Sequence, residues 1–456
     1  MKKHISLLTI VLMLMTMGYA SFAFGAVSAE EASKLDGPVL TPIGAERAGN
    51  KDGTIPAWTG VPIPIPKGYK PGSGVYVDPF ADEKPLFSIN QKNMAQYADK
   101  LAEGVKVMMK RYPDYRIDVY PTHRTAVYLQ SIYDNTKRCA TVCQIKNDGR
   151  SITGTGCRGC TPFPITKSGH EALYNHQLAS ASTTYINHLE AHNITRTGKV
   201  SLSMQAIMIN YLPWYDMTKE KDPRARVCHV IYVGPPRRNG EGVIYQNPID
   251  WYKTGSVIWQ YLPAQRRVRL APDFCCDTPN QGTAGANTWD DANMFQGDPE
   301  RYNWKLIGKK EMYIPYNTYK FTFWHGDLDK ALLGRYANPD LIRWELHRVW
   351  VLEATLKPGK RHIYGKRILY LDEDTWGGIM ADNFDKRGEL YRLSVNYPTY
   401  SYDKNSFFLD FNVYYDFIAD VYATYRWPRM KAGLIQVENF PDSKFSPDAM
   451  AGGGLR

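Results

Sequence analysis

Between Ser201 and Tyr425 the chain repeats one device: short runs rich in Val, Ile, Tyr and Trp, separated by breaks that hold Gly, Pro or Asn. SLSMQAIMINYL, CHVIYVG, GVIYQNP, SVIWQYLP and RRVRLAP follow in quick succession. YNWKLIGKKEMYIPYN, GGIMADNFD, GELYRLSVNY and FNVYYDFIADVYATY continue the series. Such runs read as strands. Parallel neighbours need crossovers of about a dozen residues or more, so strands this closely spaced form a mostly antiparallel meander.

One hairpin in the series is wide and unusually decorated. In RVWVLEATLKPGKRHIYGKRILYLDEDTW, residues 348–376, Arg348, Trp350, Leu352, Ala354 and Leu356 alternate with Val349, Val351, Glu353 and Thr355. Successive strand side chains point to opposite faces, so one face is large and apolar and the other mixes valines with a carboxylate. The alternation suits a sheet covered on one side and partly covered on the other, as in a cavity wall.

The N-terminus constrains location. Lys2 and Lys3 precede an apolar stretch from Ile5 to Met17, too short for a membrane span, and Val27-Ser28-Ala29 is an acceptable cleavage tripeptide. Residues 1–29 therefore read as a secretory signal cut near Ala29. A lipoprotein needs a cysteine at the cut, and the first is Cys139. Removing the signal takes two lysines and no acid from the formal charge of +10. The remaining excess is scattered, with pairs such as Arg237-Arg238 and Arg266-Arg267 but no long basic run. Nucleic acid is a poor partner for such an exported chain; contact with anionic lipid headgroups is the alternative to simply solvated strand edges.

Four of the seven cysteines, Cys139, Cys143, Cys157 and Cys160, fall in a C-x3-C-x13-C-x2-C cluster. Behind an export signal two disulfides are expected, with a four-thiolate zinc site as the alternative. Cys157-Arg-Gly-Cys160 lies among glycines rather than at the start of a helix, and Thr161 stands where haem attachment requires histidine. No other cofactor is implied.

Residues 30–89, as in VPIPIPKGYKPGSG, read as extended backbone, and residues 441–456 as a flexible tail. A single domain is expected over residues 90–440. Helices are predicted over Asn90–Arg111 and Gly169–His192, the second from Tyr174, Leu178, Tyr185 and Leu189 along one stripe. Residues 275–300 read as a long polar loop.

The segments IGAERAGNKDGTIPAWTG, DPFADEKPLFSI, VYPTHRTA, YLPAQRRVRLAP and ELHRVWVLEATLKPGKRHIYGKRILYLDEDTWGGIMADNFDKRGELYR resemble the DUF1329 family of exported, outer-membrane lipoprotein-sorting-like proteins. The resemblance runs from about residue 41 to 395. It implies a fold distantly similar to the LolA and LolB carriers: mainly β with some α, a strongly curved antiparallel half-barrel with plugging helices. It further implies a periplasmic location and partnership with a resistance-nodulation-division type transporter. It supplies no catalytic motif, and the four-cysteine cluster departs from its usual pattern.

Trp259, Trp350, Leu352, Ala354, Tyr370 and Trp376 are the candidate lining of a cavity for a hydrophobic or lipid-like cargo. Asp372 and Asp374 share a strand face and offer paired carboxylates for acid–base chemistry or calcium; strand termination, with balance by Arg361, Lys366 and Arg367, is the simpler reading. In His188-Leu-Glu-Ala-His192 two histidines share a helix face, but Glu190 is misplaced for a metalloprotease. The sequence thus favours a non-catalytic carrier or chaperone. A structural subunit of an envelope assembly and an enzyme using Asp372 and Asp374 are the rivals.

Overall fold

The computed structural model describes residues 26–179, 182–272, 274–437 and 441–453. The greater part of the expected signal, Lys2 to Gly25, lies outside these. Among the described residues no helix is long and apolar enough to cross a membrane.

One sheet takes sixteen strands. Its first eight in chain order are β1 (Phe87–Asn90), β2 (Arg116–Val119), β3 (Thr184–Ile194), β4 (Val200–Tyr211), β5 (Arg224–Gly234), β6 (Gly242–Pro248), β7 (Val257–Leu262) and β8 (Arg267–Leu270). There follow β9 (Tyr302–Pro315), β10 (Arg343–Leu356), β11 (Lys366–Asp372), β12 (Gly378–Phe384), β13 (Leu390–Asn396), β14 (Asn412–Asp416), β15 (Val421–Trp427) and β16 (Leu434–Gln436). Spatially the order is β1-β2-β10-β11-β12-β13-β14-β15-β3-β4-β5-β6-β7-β8, with β9 also on β10 and β16 also on β3. The predicted antiparallel meander appears twice, as β3 to β8 and as β9 to β15. The β15–β3 pairing joins the two halves, Tyr422 opposite Ile194. One parallel contact, Trp344 beside Val119, makes the sheet mixed. Its path is open, with β1 and β8 as edges.

The helical expectations need correction. Asn90–Arg111 is a 3-10 stretch, Met94–Lys100, followed by α1, Glu103–Arg111, because Leu101 and Ala102 are extended. Helix α2, Gln130–Val142, had no reading in the sequence. The second predicted helix is α3 only over Gly169–Gln177; from Thr184 on, with His188, Glu190 and His192, the chain is strand β3. A spacing of four, as in Tyr185 and Leu189, is even, so it marks one face of a strand as well as one face of a helix. His192 is buried and meets Glu190 at 3.4 Å on the same strand. Ser168 and Glu171 form the capping box that starts α3, and Gly169 fits because a Cβ there would lie 2.3 Å from the Trp304 carbonyl oxygen.

The extended N-terminal segment is a strap rather than a loose leader. Trp58 donates its indole N–H to the Ala126 carbonyl at 3.0 Å, and the Tyr76 hydroxyl lies 2.8 Å from that of Ser401. Val27 and Ser28, which a cut near Ala29 would remove, belong to the fold as well. The Val27 N–H bonds to the Ala140 carbonyl at 2.8 Å, and Ser28 caps the short helix Ala29–Ala32. Residues 441–453 are likewise not a free tail. Phe445 stacks on Tyr211, and Met450, in the helix Pro447–Gly453, is buried against Ile244 and Tyr261.

The cysteine cluster forms two disulfides, Cys139–Cys160 and Cys143–Cys157. They tie α2 to the Gly-rich loop after it, beneath Phe163 and Trp214.

Candidate ligand cavity

The hairpin expected to line a cavity is packed on both faces. Leu352 and Ala354 are 0% exposed, in a cluster with Ala172, Leu173 and Trp376; on the opposite face Val349 is 0% exposed. Helix α3 covers the first face; the strap with α1 covers the second at Val349 and Val351, while Glu353 is half-buried and Thr355 exposed, so that face is only partly covered, as expected. Trp350 stacks on Trp376 at 5.6 Å, with the Lys309 ammonium 5.2 Å over its ring. Trp376 donates to the Ile43 carbonyl. Tyr370 donates to Asp382 at 2.8 Å, the carboxylate that receives the first N–H groups of α1. Trp259 lies apart from these five, beside the Ile244 and Met450 cluster. None of the six lines the cavity described next.

That cavity, of about 260 Å³, lies in the other half of the molecule, between β5, β6 and β15 and the segment 272–302. Strand alternation builds its floor: Val230 and Tyr232 share one face of β5, Val243 and Tyr245 the same face of β6, with Val230 opposite Val243. Phe274 stacks on Trp289 at 5.3 Å, and Trp289 meets Tyr245 edge-on at 6.1 Å, closing an aromatic wall. Trp251, Gly255 and Ser256, from the β6–β7 connection, also line it. The volume lies near the roughly 300 Å³ at which ligand pockets begin. A second, larger groove of about 330 Å³ is lined by Asp78, Glu83, Lys84, Lys320 and Arg343 and has no comparable aromatic wall.

The roof was read from the sequence as a polar loop, and it is polar, but it is buried. Arg367 of β11, wholly enclosed, binds Asp291 at 2.6 Å and Asp290 at 3.2 Å and donates to the Met294 carbonyl at 2.7 Å. Tyr364 donates to Asp291 at 2.8 Å. Burial opposes ionisation of Asp290, yet the Arg367 guanidinium and His362 hold its carboxyl down to about 2. Arg392 braces the same roof through Tyr364, Asp416 and the Gly285 carbonyl. A loop rich in Asp, Asn and Gly becomes a fixed lid because buried arginines receive it. At the cavity wall Cys275 and Cys276 are free thiols. A hydrogen bond from Cys276 holds the Cys275 thiol down to about 7.

Arg426 was missed as well. In a regular strand Tyr425 and Arg426 point to opposite faces, but the register of β15 against β3 slips between Thr424 and Trp427, and Arg426 has φ +57°. This bulge brings both side chains to the cavity wall. Nothing in the local sequence announces it.

The paired acids form a separate, closed cluster. Asp374 is clamped by Nη2 and Nε of Arg124, at 2.6 and 2.8 Å, so the expected partners Arg361, Lys366 and Arg367 are not the ones that balance it. Asp372 accepts from Thr375 at 2.7 Å and sits 3.9 Å from His347 Nδ1. Burial, reinforced by Asp374, pushes Asp372 up to about 7. His347, Asp372 and Asp374 place three ligand atoms within 4.8 Å of one another, but both oxygens of Asp374 already serve Arg124. The cluster lines neither the aromatic cavity nor the charged groove.

The uncharacterized protein PA3922 of Pseudomonas aeruginosa is 37% identical to this chain over 449 residues, covering 96% of each chain. A solved DUF1329 family protein from Desulfovibrio piger aligns at TM-score 0.42 and 16% identity, over 62% of this chain and 97% of that one. The LolA superfamily protein NE2245 of Nitrosomonas europaea aligns at TM-score 0.36 and 11% identity, over 62% and 100%. Residues 88–451 match the family described as "Protein of unknown function (DUF1329)", and the chain belongs to that family.

Proposed function

We propose that the protein is a non-catalytic periplasmic carrier, or chaperone, that shelters a hydrophobic or lipid-like cargo between the β5–β6–β15 face and the 272–302 lid. The observation that carries this reading is the cavity itself: about 260 Å³, walled by Val230, Val243, Tyr245, Phe274 and Trp289, and roofed by a segment anchored through buried charge pairs. Burial of apolar ligand surface at about 25 cal/mol per Å² drives binding without chemistry. Release then follows from a competing affinity, as with a transporter or membrane. A half-barrel curvature of the sheet, export through the N-terminal signal and a resistance-nodulation-division type partner belong to the same reading.

Gly255 provides the test. It lines the cavity, has an ordinary φ, and a Cβ built there meets nothing within 4 Å. Gly255 is exposed at the cavity's edge, so Gly255→Trp is expected to obstruct the cavity without straining the fold. The wild type is expected to bind the neutral fluorophore N-phenyl-1-naphthylamine saturably, and G255W is expected to lose at least tenfold in affinity with its melting temperature unchanged. No saturable binding by the wild type, or equal binding by both, contradicts the proposal.

A further inference from the structure

We infer that the cavity takes an amphiphile with an anionic head, a carboxylate or phosphate, and that Arg426 receives that head; the inference rests on the carrier reading and names its cargo class. Arg426 is 3% exposed and lines the cavity. Its Nη2 donates to the Tyr245 hydroxyl at 3.3 Å, but among the described residues its Nε and Nη1 have no hydrogen-bond partner. The nearest carboxylate, Asp410, stands 3.6 Å from Nη1, beyond hydrogen-bonding distance. Arg226, also buried, lies within electrostatic reach of the same carboxylate without an ion pair to it, so two guanidiniums lie near one acid. Gln296, whose amide oxygen turned inward accepts from Arg226 at 3.1 and 3.3 Å, brings no charge.

The remaining charges at the cavity are committed elsewhere. Asp290 is bound to Arg367 and His362, Asp298 to Arg150, and Arg301 to Asp277. One positive charge is left over beneath an aromatic wall. A buried guanidinium with open N–H groups is costly unless something satisfies it. The bulge in β15 holds Arg426 at that place although a regular strand would turn it away. An anionic head meeting the Arg426 guanidinium beside the Tyr245 hydroxyl, with its chain against Tyr245, Val243 and Trp289, supplies the missing counter-charge and covers the apolar surface. The head can come from a free acid or from a phosphate ester; both present the oxygens that a guanidinium fork matches.

The experiment displaces N-phenyl-1-naphthylamine from the full-length mature protein with dodecanoate, dodecyl phosphate and neutral dodecanol at pH 8. The wild type is expected to favour at least one anionic competitor over dodecanol by about tenfold or more, the scale of one charge-assisted hydrogen bond. The tighter of the two assigns carboxylate or phosphate. Arg426→Met should bring all three together while dodecanol binding stays within about twofold. Because R426M leaves Asp410 without that arginine, R426M combined with Asp410→Asn serves if the single variant fails to fold. Equal affinity of all three for the wild type overturns the inference and leaves the carrier reading intact. So does an anionic preference that survives the loss of Arg426. Displacement by none of the three, with no binding of the fluorophore, overturns the carrier reading itself.

Discussion

The two halves of the sheet share one sequence pattern and come to different ends. On β10 and β11, large apolar side chains alternate along the strand and are buried around Leu352 and Val349: helix α3 and Trp376 cover one face, and Ile379, Val395 and the strap pack against the other. On β5 and β6 a similar alternation produces a floor of Val230, Val243 and Tyr245 with a cavity of about 260 Å³ above it. The difference lies in the cover. A helix presents side chains that interdigitate with a sheet, whereas the 272–302 segment is tied from outside, by Arg367 and Arg392, and is held off the floor. Strand pattern sets which residues face inward; the covering element decides whether they meet a core or a space.

The sharpest way to break this contrast is to cut into the filled half. Leu352→Ala is expected to cost about 2–5 kcal/mol in urea unfolding, the range for a large-to-small change in a close-packed interior. A cost below about 1 kcal/mol would show that the space around Leu352 is already loose. Ala354→Trp at the same site should destabilise by at least about 1–3 kcal/mol, where the same ring at Gly255 is tolerated.

The next largest effect concerns the staple beside the cavity half. Replacing Cys143 and Cys157 by serine opens a 14-residue span and should cost about 3 kcal/mol. Mass analysis of the unreduced protein should find thiols only at Cys228, Cys275 and Cys276. Stoichiometric zinc with four further thiols would contradict the pairing.

A smaller effect comes from Asp372 in the filled half. Its carboxyl is raised from 3.8 to about 7 in the fold, so between about pH 4 and 7 the folded state holds a proton that the unfolded chain has released. Stability therefore falls as pH rises through this window, with a slope of order 1 kcal/mol per pH unit. Asp372→Asn should flatten that slope. An unchanged slope would place the proton elsewhere.

Much of the architecture was legible in the sequence, because period-2 patterning and short breaks leave an antiparallel meander little choice. What escaped shows where local pattern stops informing. The run from Ser182 to Ile194 has apolar residues four apart, a spacing that helix and strand share, and β-strand pairing with β4 decided it. Helix α2 buries one stripe, Ile132, Thr136, Cys139 and Ala140, in which only Ile132 is a large aliphatic, and it is held by its disulfides. Asp290 and Asp291 looked like solvent-facing loop residues because their partners, Arg367 and His362, lie more than seventy positions away. Trp350 and Trp376 were legible as inward-facing rings but not as core rather than pocket, since the two environments ask for the same residues. Because Val27 and Ser28 pack into the fold, an N-terminal cut is expected at or before Val27 rather than near Ala29, which N-terminal sequencing of the purified protein checks.

The central claim is that the lid half holds a cargo and the hairpin half does not. Native mass spectrometry of the protein released from periplasm without detergent tests it most directly. The wild type should carry a co-purifying amphiphile of a few hundred daltons, detected in negative-ion mode after denaturation, and G255W should fly as the bare chain. Wild-type protein that flies as the bare chain, or a G255W variant that carries the same molecule, would contradict the account.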